Sequence, residues 1–389
     1  MSDQHSDTQN SSNNKSQQRK KGLSIFILLL LLIAIGSAAY WYLFIKGFEE
    51  TEDAYVSGNQ VMVSAQVAGN IAKINVDNMD PVQAGDVLLE LDDTNAKLSF
   101  EQAKSNLANA VRQVSQLNYT VKQLKSAVRA NEITLAQAQG NLNRRVQLVK
   151  DGAIDKESFQ HAKEAVELAK ANLTTSQNQL GANQALLLDG PLSEQPQIQS
   201  AISNLKQAWL NLERTKIRSP IKGYVARRNA QVGQAVSVGG ALMAVVTTDQ
   251  MWLDANFKET QLTHMRIGQP VEIHFDLYGK DKTFNGKVVG IEMGTGSAFS
   301  LLPTQNATGN WIKVVQRVPV RIQLDPQQLA ENPLRIGLSA TVKVNVTDSQ
   351  GETLRNQAPT ATLYSTNVLQ YDESAVNNLI ESIIRDNSY

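Results

Sequence analysis

The apolar residues of this chain follow three different periods, and each predicts a different element. From Leu23 to Ile45 they are continuous: "LSIFILLLLLIAIGSAAYWYLFI" is 23 residues without a charge, against about 20 for a membrane-crossing helix. Tyr40, Trp41 and Tyr42 fall near its far end, where amphipathic rings favour the headgroup layer. The run predicts a transmembrane helix over 22–46. Arg19, Lys20 and Lys21 precede it and Lys46 alone follows closely, which orients the N-terminus to the cytoplasm. Residues 1–21 are polar enough to form a disordered cytoplasmic tail. Ser37-Ala38-Ala39 resembles a signal cleavage site, but the apolar run continues past it for longer than a signal peptide requires.

The second period is two. "SAQVAGNIAK" (64–73) and "SPIKGYVARR" (219–228) each place apolar residues two positions before and after a glycine, Gly69 and Gly223. Sixteen residues beyond each comes another glycine, Gly85 and Gly239, opening an apolar strand. Two matched spacings predict a duplicated β unit, with one half at 47–91 and the other at 215–249. Gly69 and Gly223, as partners in a two-fold pair, are each expected to take positive φ or to pass close to a neighbouring strand.

The third period is seven and fills the gap, 92–214. Phe100, Leu107, Val114, Val121, Val128, Leu135, Leu142 and Val149 recur at strict heptad spacing, with Ala103, Ala110, Leu117, Leu124 and Ala138 interleaved. Asp93 or Thr94 caps the start. "KDGAIDKES" breaks the helix at Gly152, and Phe159, Val166, Leu173, Leu180 and Leu187 carry the return. After "DGPLSEQP" (189–196), Ile198, Leu205 and Leu212 resume the pattern. The arms on either side of Gly152 are each about 60 residues, so both ends return to the two β halves. The prediction is an antiparallel coiled-coil hairpin inserted into one β-domain and reaching roughly 85–90 Å. Asn131 interrupts the seam, where it either fixes register or marks a loosened layer. A simple dimerisation rod is the other reading of such heptads, but a rod need not return to its origin.

Period two resumes in "MWLDANF", "PVEIHFDLY", "FNGKVVGIEM", "WIKVVQRVPVRIQL" and "SATVKVNV", which suit a small β-barrel over 250–346. The tail, 347–389, is polar until Val376, Leu379, Ile380, Ile383 and Ile384 mark one face of a short amphipathic helix. That helix docks either on a neighbouring protein or on its own domain.

Composition narrows the chemistry. Lys plus Arg and Asp plus Glu each number 37 in 389 residues, a balance that does not point to nucleic acid as a partner. There is no cysteine, so disulfides, thiolate metal sites and a cysteine nucleophile are excluded. The four histidines lack the spacing of a helical metal pair. No P-loop, HExxH or nucleophile elbow occurs, and Gly294-x-Gly296 lacks the third glycine and following helix of a nucleotide site. Asp92-Asp93, at a strand-to-helix junction, reads as capping. The residues point to no enzyme, cofactor or metal.

The split β unit resembles the lipoyl and biotinyl carrier fold. Its modified hairpin is replaced here by the coiled coil, and no Met-Lys-Met occurs. The whole arrangement is multidomain: one transmembrane helix, a split lipoyl-like barrel-sandwich with a helical hairpin insert, and a trailing barrel. With "ETEDAYVSGNQV", "MWLDANFKETQ", "MRIGQPV" and "MGTGSAFSLLPTQNATGNWIKVVQRVPVRI" it resembles the membrane fusion proteins, or periplasmic adaptors, of the HlyD family, and within them the multidrug-efflux branch. The resemblance implies a non-enzymatic, homo-oligomeric subunit anchored in the inner membrane of a Gram-negative cell, its bulk periplasmic. The implied partners are a proton-driven major facilitator drug transporter and a TolC-type outer-membrane channel, with hydrophobic drugs as cargo. Related adaptors engage the channel through Arg, Leu and Ser at the hairpin tip. The matching positions are Arg144, Leu148 and, in place of the serine, Asp155. Type I protein secretion beside an ABC transporter, or a membrane-tethered scaffold, are the alternatives.

Overall fold

The computed structural model describes residues 23, 26–37, 47–279, 281–298, 315–358 and 360–388. The expected tail at 1–21 and much of the expected span at 22–46 lie outside these residues. Residues 26–37 are helical with every side chain exposed. Among the described residues no helix is long and apolar enough to cross a membrane. The chain forms two units, 1–61 with 246–365 and 62–245 with 366–389.

The first unit is an antiparallel barrel. Strands β1 (Phe48–Ser64), β8 (Ala241–Lys258), β9 (Pro270–Phe275), β10 (Phe284–Ile291), β11 (Arg317–Leu324) and β12 (Ser339–Asn345) hydrogen-bond in the order β1-β12-β9-β10-β11-β8, and β1 also pairs β8. Alternation does the sorting: Val271, Ile273 and Phe275 of β9 face inward, as do Leu253, Ala255 and Phe257 of β8. Phe275 and Phe284 meet edge to face at 4.8 Å, a preferred ring geometry. The boundaries read from sequence shift here. Phe48 to Tyr55 pair with β12 from Asn345 to Ser339, so the start of β1 belongs to the barrel and not to the first lipoyl-like half. The boundary at 249/250 likewise falls inside β8. Both strands stay extended across the change of unit, β1 even through Ser57-Gly58-Asn59, so no break in either strand marks it.

The second unit contains the split β-domain. Its strands are the end of β1, β2 (Gly69–Ile74), β3 (Pro81–Val82), β4 (Val87–Leu91), β5 (Lys216–Arg218), β6 (Gly223–Arg228), β7 (Ala235–Val236) and the start of β8. A shift of 154 residues, the interval from Gly69 to Gly223, maps one half onto the other with its partners exchanged. Gly69 pairs Val236 while Gly223 pairs Val82. Gly85 N–H donates to Ser219 O at 2.8 Å, and Gly239 N–H donates to Ala65 O at 2.9 Å. Met79 N–H donates to Val225 O, and Gly233 N–H to Ile71 O. Each half closes its ladder on the other, so neither can fold alone, and Ile71, Leu88, Leu89, Val225, Leu242 and Met243 share one core.

The backbone demand falls on different glycines from those expected. Gly85 and Gly239 have φ of +95° and +82° with nothing within 4 Å of an added Cβ. Gly69 and Gly223 lie in strands outside the positive-φ set, and a Cβ on Gly69 would make an ordinary 3.6 Å contact with Leu91. At Gly69 a strand glycine opposite a large side chain is accommodated, not required. Met79, the two-fold mate of Gly233, holds φ +74° without being glycine.

Three helices form the insert: α1 (Thr94–Lys150), α2 (Lys156–Gln184) and α3 (Pro196–Glu213). At its start, Asp93 is the N-cap residue, as expected, but its side chain makes no capping bond; the Asp92 carboxylate instead accepts from the Thr94 N–H at 3.0 Å and from its hydroxyl at 2.6 Å. At the break between α2 and α3 the buried Gln195 side chain accepts from Leu188 N–H at 3.0 Å and donates to Leu188 O at 2.9 Å. It thereby satisfies backbone groups that the interrupted helix leaves open. Pro196 then starts α3 at a position where its missing N–H costs nothing.

One more helix follows the short α4 (Pro326–Glu331) of the barrel unit. This α5 (Ser374–Asn387) packs on the hairpin base, where Val376 and Ile380 join Ala103, Leu107, Ala110, Val111, Val114, Ile198 and Leu205 in one core. Of the two destinations left open by sequence, the structure shows its own domain.

Candidate functional site

The hairpin tip is built by two terminators of opposite kind. Gly152 takes φ +70°. Its N–H bonds Val149 O, while Ala153 N–H reaches Leu148 O at 2.9 Å. These paired bonds are the Schellman ending of a helix, which needs a left-handed residue just past the cap. Three residues on, Asp155 is extended (φ −73°, ψ 156°) and its carboxylate accepts from Ser158 N–H at 3.2 Å. Its hydrogen bonds to Ser158 hold the Asp155 carboxyl below the usual carboxylate range, because they favour the charged form. Asp155 is therefore the N-cap of α2, and its acceptor is already engaged by its own helix.

The three tip residues singled out by sequence differ in what they offer. Leu148 is 43% exposed. Arg144 is exposed and donates to Asn141 Oδ1 one turn back on its own helix. Asp155 is exposed but committed to the cap. Sequence reading passed over the neighbour that ties the arms: Arg145 Nη1 donates to Ser158 O at 3.0 Å. Arg145 occupies the interleaved seam position seven residues past Ala138, and its signal was a basic residue in the seam two turns before the break at Gly152.

Lower down, Asn131 settles its own alternatives. It is half-buried and its amide donates to Ser176 Oγ at 2.6 Å across the two arms. A polar pair at a seam position favours one register, since sliding either helix would strand both groups. Among the described residues, no group of three or more His, Asp or Glu is placed to hold a metal ion.

Residues 94–215 match the family model described as the EmrA alpha-helical hairpin domain, and 250–345 match the AAEA-like beta-barrel domain. The Multidrug export protein EmrA of Haemophilus influenzae is 78% identical over 357 residues, covering 92% of each chain. The chain belongs to the EmrA family of multidrug export proteins. The Escherichia coli EmrA is 50% identical over 355 residues, 91% of each chain. A solved structure titled as the periplasmic adaptor protein EmrA aligns with 77% of this chain and 98% of its own at 19% identity, with a TM-score of 0.41. The hairpin is thus the EmrA-type element of this multidrug export family, and the barrel is its AAEA-like element.

Proposed function

We propose that the chain is the periplasmic adaptor of a tripartite pump, joining an inner-membrane major facilitator drug transporter to a TolC-type outer-membrane channel. The observation that carries this reading is the return of the hairpin. Strand β4 leads into α1, α3 leads into β5, and β4 pairs β5, with Leu89 opposite Ile217. A helix of 57 residues therefore projects about 85 Å and ends where it began. That design presents a distant tip while both ends stay fixed in one β-domain, which suits bridging and is superfluous in a dimerisation rod. The uncharged run 23–45 supplies the inner-membrane anchor, N-terminus inside, and a homo-oligomer of such hairpins surrounds the path of a hydrophobic drug. Arg144 and Leu148 are the tip groups free to meet the channel. Asp155 supports them by capping.

Deleting the gene should sensitise cells to hydrophobic toxicants and leave secreted proteins unchanged, with wild type restoring resistance. A photo-crosslinker at Leu148 should capture an outer-membrane channel protein. Normal drug resistance in the deletion strain together with loss of a secreted protein would favour the secretion reading and overturn this one.

A further inference from the structure

The heptad seam explains which residues of α1 face the return arm, but not all those that are buried. Val111 and Ser115 lie off the seam, yet they are 0% and 6% exposed. Ala108 and Asn118, on the same flank, are half-buried. One and two heptads further on, the equivalent positions are Lys122, Lys125, Arg129 and Glu132, all exposed. The flank of α1 is thus written for a third helix near the base and for water beyond it. The change comes where α5 ends: Asn387, its last residue, accepts from Arg112 Nη1 at 2.6 Å.

The rest of the C-terminal segment is fastened at several points. Thr366 Oγ1 donates to Pro220 O at 2.6 Å, and Tyr371 OH donates to Gln66 Oε1 at 3.3 Å. The Tyr371 ring meets Trp209 edge to face at 6.3 Å. Asp372 accepts from Ser374 N–H at 2.9 Å to start α5, and Lys206 pairs Glu373 at 2.7 Å. These contacts tie the segment both to the split β-domain and to the foot of the hairpin.

We propose that residues 366–388 are an intramolecular clasp on which the integrity of the hairpin base depends. They complete a three-helix bundle from which the two-helix shaft emerges. Without α5, the Ala108–Asn118 flank opens to water, and the arms are left with only their own seam, from Leu107 and Val114 to Ile198 and Leu205, at the point of greatest leverage.

The chain lacks cysteine, so the test can be made by placement. In full-length protein in detergent, amide hydrogen exchange is followed over 100–118 and 198–212, with the barrel strand 271–275 as internal reference. Truncation before Thr366, or Ile380→Asp in the intact chain, should speed exchange at the base on the order of tenfold or more and leave the barrel unchanged. The pair Arg112→Cys and Asn387→Cys, joined by a short bismaleimide, should restore slow exchange in the Ile380→Asp background, which separates docking from a general folding defect. Wild-type exchange at the base in the truncated protein would overturn the proposal. So would bismaleimide products that link two chains rather than one, since these would place α5 on a second copy.

Discussion

Replacing Gly85 and Gly239 singly by alanine tests the two-fold arrangement on which the fold rests. Both have φ near +90° and open space where Cβ would stand, so the loss is backbone strain without a clash. A non-glycine residue in this region costs roughly 1–2 kcal/mol, while alanine recovers about 0.4–1 kcal/mol by restricting the unfolded chain. The net loss is about 0.5–1 kcal/mol for each. Met79, held at φ +74° at the position equivalent to Gly233, shows that the domain tolerates strain of this size. For a unit of about 200 residues, 1 kcal/mol moves the midpoint by about 2–4 °C. Thermal unfolding of the detergent-solubilised chain should therefore show two similar decreases of a few degrees, in the same transition, from positions 154 residues apart. Gly69→Ala should leave that transition in place, because its backbone is not left-handed and its Cβ meets Leu91 at 3.6 Å. A shift at one of Gly85 and Gly239 without the other, or a loss at Gly69 as large as theirs, would refute the exchange of partners between the halves.

Other variants probe single contacts. Met79→Gly should raise the midpoint of the same transition by a degree or two, as relief of left-handed strain outweighs added chain entropy. Leu135→Asp places an unpaired carboxylate in the half-buried seam and should cost about 2 kcal/mol, read as lost drug resistance at normal protein abundance with the barrel still protected from exchange. Asn131→Leu should stabilise the shaft by about 1 kcal/mol while loosening its register, seen as more than one spacing between spin labels on the two arms. Asp155 has a depressed folded pKa, so its contribution is complete above the unfolded value of about 3.9 and is lost as pH falls through the folded value. Amides of Glu157–Phe159 should therefore loosen on acidification in wild type and show no such acid step in Asp155→Asn.

Much of this was legible in sequence because periodicity survives translation into structure. The heptads located α1, α2 and α3, and the paired glycine spacings located the two β halves. What sequence mistook were features that have no period. The long strands β1 and β8 pass from one unit to the other without a turn, so pairing alone assigns their ends. Positive φ falls on Gly85 and Gly239 and not on Gly69 or Gly223, because spacing records that a glycine recurs and not which of two recurring glycines has positive φ. At Asp155, read as a tip residue in place of a serine, what went unread was the N-cap that its spacing to Ser158 also fits, a local role that a tip alignment conceals.

The destination of α5 was hidden for a different reason, and Val111 shows what signal was available. A two-helix coiled coil needs apolar residues only at its seam, so an apolar residue on the flank is either wasted or covered. Val111 and Ser115, followed by Lys122, Lys125 and Arg129 at the equivalent positions, change the flank from dry to wet within two turns of one unbroken helix. The seam of α1 does not produce that change, because it runs on through Val121 and Val128 against α2, past the level at which α3 begins beside Gln113. A third partner of limited length must therefore lie there, and α5, with 14 residues and about 21 Å of reach, covers the flank up to the charges. The hairpin thus has two mechanical regimes encoded on one face of one helix: a bundle whose leucines at 107 and 205 are fully enclosed, and a shaft whose Leu135 and Leu142 are only half-covered. Bending under load should concentrate in the shaft, above Asn118, where the polar pair of Asn131 and Ser176, with Arg145 and Ser158 nearer the tip, keeps the two arms in step.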